Sequence, residues 1–72
     1  MANDSELAKR VGRNLRAWRE ERGYSQERLA EFLGVHRTYA SGVERGERNL
    51  SLKALERLAE QLGVDPLALL KN

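Results

Sequence analysis

No cysteine occurs in this 72-residue chain, and proline, histidine, tryptophan, phenylalanine and methionine appear once each. Without cysteine, neither a disulfide framework nor a thiolate metal site can brace the fold. An intracellular setting fits that absence. The one histidine, His36, has no second histidine and no cysteine to complete a site, so no metal is expected. No apolar run approaches the roughly 18 residues that a membrane span needs, and residues 1–20 lack the apolar core of a signal peptide. A cytoplasmic protein without membrane contact is therefore expected. A phosphate-cradling glycine loop is missing, as is any His–Ser–Asp grouping with a pocket. The chain reads as a non-enzyme that needs no cofactor.

Charge of one sign is also scarce. Thirteen Lys and Arg against eleven Asp and Glu leave a formal net charge of +2. The surplus lies in the first third, where Lys9, Arg10, Arg13, Arg16, Arg19 and Arg22 face Asp4, Glu6, Glu20 and Glu21. Residues 25–49 balance four Arg against four Glu, and residues 50–72 balance three against three. The basic first helix has two readings, a solvated face or a phosphate-contacting one, with Arg16 a candidate for the latter.

What is present is helical periodicity. A chain of this length makes one domain spanning residues 1–72. An all-α fold of five helices with no strand is expected. The first helix starts at Asp4 or Ser5, either suited to cap it, and runs to about 22 before Gly23. Leu7, Val11, Leu15 and Trp18 fall within roughly 80° of one another at about 100° per residue, a core-facing stripe. Ser25 caps a short second helix over 26–33 that turns Leu29, Ala30 and Leu33 inward. Gly34 ends it, and a third helix covers about 36–43. Ser51 caps a fourth, with Leu52, Leu55, Leu58, Ala59 and Leu62 as its apolar stripe, closed by Gly63. Asp65 and Pro66 open a last short helix, in the cap and first-turn positions that suit them. Residues 1–3 and 71–72 are expected to fray.

The third helix is poor in core residues. Only Ala40 and Val43 point to the interior, and Gly42 costs about 1 kcal/mol relative to Ala in a helix. With Ala40 and Val43 as anchors, Arg37, Thr38, Ser41 and Gly42 are left facing outward. That set suits base edges: Arg brings a bidentate fork for guanine, Thr a hydroxyl and a methyl, Gly a close backbone approach. Residues 25–46 thus form a helix-turn-helix, a motif whose second helix enters the DNA major groove.

The run Ser25-Gln26-Glu27-Arg28-Leu29-Ala30-Glu31-Phe32-Leu33-Gly34-Val35, followed by Val43-Glu44-Arg45-Gly46, resembles the phage repressor and Cro-like helix-turn-helix family. The likeness extends over about 11–70, including Leu62-Gly63-Val64-Asp65-Pro66. Within that family, Arg37-Thr38-Tyr39, Ser41-Gly42-Val43-Glu44-Arg45 and Arg48-Asn49-Leu50 are similar to the controller proteins of restriction–modification systems. The resemblance implies that Gln26 contacts phosphate, that Arg37 and Thr38 reach base edges, and that Tyr39 donates its hydroxyl to phosphate. It implies that Arg48 and Asn49 touch backbone or neighbouring bases. It also implies an ion pair between Arg19 and Glu44. Gly42 stands where several phage repressors carry a long reading side chain.

Read from the residues alone, several positions keep a plainer alternative. Gln26 can be a solvated first-turn residue, Arg48 and Asn49 ordinary loop residues, and Tyr39 can pack on Phe32 or a neighbouring helix. His36 is a helix-start or phosphate-facing residue. Leu67, Leu69 and Leu70 spread over roughly 160° of the last helix. They are candidates for a homodimer interface, with Leu67 the one left outside the core. Together these readings favour a homodimeric transcription regulator on a palindromic double-stranded DNA site, with no small-molecule ligand. The alternatives are a DNA-binding antitoxin and a protein-interaction module that keeps the fold.

Overall fold

The computed structural model describes residues 5–72, and its elements follow from local signals in the chain. Helix α1 spans Glu6–Glu21, α2 Gln26–Leu33, α3 Arg37–Glu44 and α4 Leu52–Leu62, and a 3-10 turn covers Pro66–Leu70. Among the described residues there is no strand, and no helix is long and apolar enough to cross a membrane. Asp4, the alternative first cap, and residues 1–3, expected to fray, lie outside the described residues.

Every element opens on a side-chain acceptor for an otherwise orphaned backbone N–H. The Oγ atoms of Ser5, Ser25 and Ser51 accept from the amides of Ala8, Arg28 and Ala54 at 3.0–3.1 Å. His36 caps α3 through Nδ1, which accepts from the Thr38 amide at 3.0 Å. The Asp65 carboxylate accepts from the Leu67 amide at 2.8 Å. Gly34, at φ 71°, closes α2 in the left-handed conformation that side chains with a Cβ disfavour. That turn sends the chain directly into α3.

The core gathers one face of each helix. Leu15 of α1 and Leu29 of α2 are completely buried at its centre. Around them pack Val11, Trp18, Leu33, Ala40, Val43, Leu55, Ala59, Leu62 and Leu69. Trp18 joins Tyr24 and Phe32 in an aromatic cluster, with ring centroids 5.3–6.2 Å apart. The cluster fastens α2 onto the end of α1.

Four expectations need correction. The fifth helix is a five-residue 3-10 turn. It starts at proline, and the Leu69 and Lys71 carbonyls are taken by Asn14 Nδ2 of α1, at 2.8 and 2.9 Å. Those bonds hold the chain end against α1. Leu69 is therefore buried and Leu70 packs against the core, which removes Leu69 from any interface and leaves Leu67 as the exposed member, at 68%. Leu7 and Leu52 keep the expected helical faces but are 52% and 81% exposed. Each sits in the first turn of its helix, before that helix meets the body of the core, and they share a shallow apolar groove with Leu50 and Leu70.

Candidate nucleic-acid interface

Helix α3 lies against both α1 and α2. Its last four residues before Glu44 (Ala40, Ser41, Gly42 and Val43) are all buried. Four consecutive residues cover about 300° of a helix, so this half is enclosed on nearly every side. The first turn is the opposite: Arg37 and Thr38 are exposed, as is the His36 cap. The helix is planted by its C-terminal half and projects its N-terminal end.

This overturns the outward placement of Ser41 and Gly42. Ser41 is only 6% exposed, and its hydroxyl donates to Gln26 Oε1 at 2.9 Å. Gly42 is roofed by the following loop, where a Cβ would come within 3.0 Å of Arg48 Nε. The anchors expected from the sequence, Ala40 and Val43, account for one side of α3. The other sides are closed by α2 and by Arg48, which residue spacing within the helix does not reveal.

The remaining candidates surround the projecting turn. Arg48 and Asn49 are exposed in the loop after α3, and the Arg48 guanidinium lies 5.2 Å from the Tyr39 ring centroid. Tyr39 is half-buried beneath it and packs on the core; Phe32 belongs to the Trp18 cluster instead. Arg16 is exposed on α1 and pairs with Glu20 at 3.1 Å, an open surface contact of small energetic weight. Arg37 takes part in none of the ion pairs seen among the described residues, so its five donors are uncommitted.

Behind the turn lies a polar junction of three helices. Arg19 of α1 donates to Glu44 of α3 from Nε at 2.7 Å and from Nη2 at 3.2 Å, a two-pronged pairing. Both side chains are largely buried, at 13% and 4% exposure. The hydrogen bond to Glu44 holds the Arg19 guanidinium above its ordinary range, against the opposing effect of burial. The third prong, Nη1, donates to the Tyr24 carbonyl at 2.9 Å. Gln26, at the first position of α2, donates from Nε2 to Glu44 at 3.1 Å. Its amide is thus engaged inward on both atoms, a different setting from the solvated or phosphate-facing ones that the sequence suggests.

One residue at this junction escapes a sequence reading focused on side chains. A Cβ on Gly12 would stand 2.5 Å from the carbonyl oxygens of Val43 and Glu44. The backbone of α1 therefore touches the end of α3 directly. The available signal was a glycine in the interior of a well-patterned helix, which costs stability unless the space is needed.

Residues 15–69 match the helix-turn-helix family model. A hypothetical transcription factor of Neisseria meningitidis serogroup B is 39% identical over 70 residues, covering 97% of this chain and 66% of that protein. Control protein C.SmaI of Serratia marcescens is 48% identical over 52 residues, covering 72% of this chain and 62% of that protein. The chain thus spans a little under two thirds of the length of these curated relatives. Among solved structures, the restriction–modification controller protein C.Esp1396I, a tetramer in complex with its natural 35 base-pair operator, superposes with a TM-score of 0.75. It is 38% identical, with 92% of this chain and 87% of that one covered.

Proposed function

Because this chain belongs to the helix-turn-helix family, we propose that it is a transcription regulator that binds double-stranded DNA sequence-specifically as a homodimer. One observation carries this reading: the exposed, uncommitted Arg37–Thr38 turn at the projecting end of an otherwise embedded helix. In this motif the N-terminal residues of the second helix reach base edges. The Arg37 guanidinium donates two parallel hydrogen bonds to O6 and N7 of a guanine, and Thr38 reads beside it.

Arg48 and Asn49 flank that turn and contact backbone or adjoining bases, Tyr39 and His36 approach phosphate, and Arg16 adds a backbone clamp. The phosphate and backbone contacts among these position the domain without reading sequence. The exposed Leu67 supplies the contact between protomers. Two copies related by a twofold axis set their reading helices about 34 Å apart, one DNA turn, and so match a palindrome. The likeness to controller proteins supports a role of that kind, exercised in the cytoplasm and without catalysis. Selection of bound sequences from a random DNA pool tests the whole reading. A palindromic consensus is the expected result, and recovery of unrelated sequences would overturn it.

A further inference from the structure

The junction behind the reading helix assigns a role to Ser41, which lies too deep to read a base. We propose that Ser41 is a positioning residue for DNA specificity, acting through Gln26 to fix the setting of α3 against α2. The inference rests on the DNA-reading function proposed above.

The hydrogen bonds run as one chain. Ser41 Oγ donates to Gln26 Oε1, Gln26 Nε2 donates to Glu44 Oε1, and Glu44 is held by Arg19, which also grips the Tyr24 carbonyl. Donor and acceptor chemistry allows Gln26 only one orientation. A carboxylate accepts only, so the amide nitrogen must face Glu44. The amide oxygen is then left for Ser41, whose hydroxyl donates to it. Ser41 and Glu44 are three residues apart, neighbours on one face of α3. Gln26 therefore grips α3 at two points spaced almost a turn apart, which opposes both sliding and rolling of that helix against α2.

Rolling matters because Arg37 is one turn before Ser41. A bidentate contact to guanine tolerates little error in the angle at which the fork arrives. Removing the Ser41 hydroxyl frees the Gln26 amide oxygen and leaves one polar tie between α2 and α3, from Gln26 Nε2 to Glu44, beside their apolar packing. A single tie is a pivot and apolar contact is non-directional, so together they keep the helix in place without fixing its roll. Sequence discrimination should suffer more than overall affinity for DNA, because no phosphate contact is lost.

Two measurements test this, one free of DNA. In the first, the side-chain amide protons of Gln26 are followed by NMR. Wild type should show a protected, restrained pair, and Ser41→Ala a pair that keeps its Glu44 acceptor but exchanges faster and is less restrained. A Gln26 amide already exposed in wild type overturns the proposal. In the second, affinities for the selected site and for its single-base variants are compared across wild type, Ser41→Ala, Gln26→Ala and the double variant. The discrimination ratio should fall about three- to tenfold per half-site in Ser41→Ala, the scale of one hydrogen bond. The salt dependence should stay unchanged, and the double variant should lose no more than Gln26→Ala alone. A Ser41→Ala protein that stays folded and keeps the wild-type ratio overturns the role of Ser41, as does full additivity in the double variant. A wild type that discriminates between no sequences refutes the DNA-reading function itself, and the NMR result shows whether the junction nevertheless exists.

Discussion

Gly12 of α1 and Glu44 of α3 meet with no side chain between them: a Cβ on Gly12 would lie 2.5 Å from the Glu44 carbonyl oxygen. Gly42 has a less severe neighbour of another kind, the flexible side chain of Arg48, with Nε at 3.0 Å and Cγ at 3.2 Å. The same substitution should therefore have different outcomes at the two sites. Gly12→Ala forces two backbones apart and should destabilise by about 1–3 kcal/mol or more, as overpacking does. Gly42→Ala meets only the flexible Arg48 side chain, which shifts from Cγ outward, and gains up to about 1 kcal/mol in helix propensity, so its melting temperature should match or exceed wild type. Thermal melts of both variants check this; equal losses would show that Arg48 is as immovable as backbone.

The Arg19–Glu44 pair should dominate the polar contribution to stability. Arg19→Met strands a carboxylate that is almost fully buried, and Glu44→Gln strands the guanidinium. Each should cost about 3–5 kcal/mol, which for a domain of this size lowers the melting point by roughly 4–8 °C per kcal/mol. The combined variant should lose less than the sum of the two, because the second change removes the charge that the first left unpaired. Losses near zero in both single variants would contradict the burial described.

Arg37→Ala should weaken binding to the selected site by about 1–3 kcal/mol per half-site and relax preference at one base position. Arg16→Ala should weaken binding to every sequence alike and flatten the salt dependence. Titrations against the selected site and its single-base variants separate the two patterns. A uniform loss for Arg37→Ala would make it a phosphate clamp and move base reading to Thr38 or Arg48.

Leu67→Glu should convert a dimer to a monomer while leaving the fold intact, since this side chain is 68% exposed and contributes little to the core. Sedimentation of wild type and variant at high micromolar concentration, alone and on DNA, checks it. A wild type that remains monomeric under both conditions removes the interface.

Much of the fold is legible in the chain because its punctuation is local. Ser25, Ser51, Asp65 and Gly34 act on backbone groups within three or four residues, so their roles need no tertiary knowledge. Angular spacing correctly turns Val11, Leu15, Leu29 and Ala40 inward. It fails at Leu7 and Leu52, because periodicity shows which way a side chain faces and not whether anything stands opposite. Ser41 and Gly42 fail for the complementary reason: a polar residue and a glycine look like surface, yet two helices and the Arg48 side chain close over them. Arg19 and Glu44, 25 positions apart, come together through the packing of α1 on α3. Their pairing follows from family resemblance, and composition or spacing alone gives no sign of it.

The division of α3 into an embedded half and a projecting turn bears on how such a regulator diversifies. Arg37 and Thr38 are exposed, whereas Ala40, Ser41, Gly42 and Val43 are enclosed. Surface exchanges away from caps and cores usually change stability by no more than about 0.5 kcal/mol. Residues 37 and 38 can therefore be exchanged at almost no cost to folding, so a descendant can drift toward a new target without first acquiring compensating changes elsewhere. On the proposed reading of Arg37 and Thr38, the address is written on a tab, and the scaffold that holds the tab can be inherited unchanged.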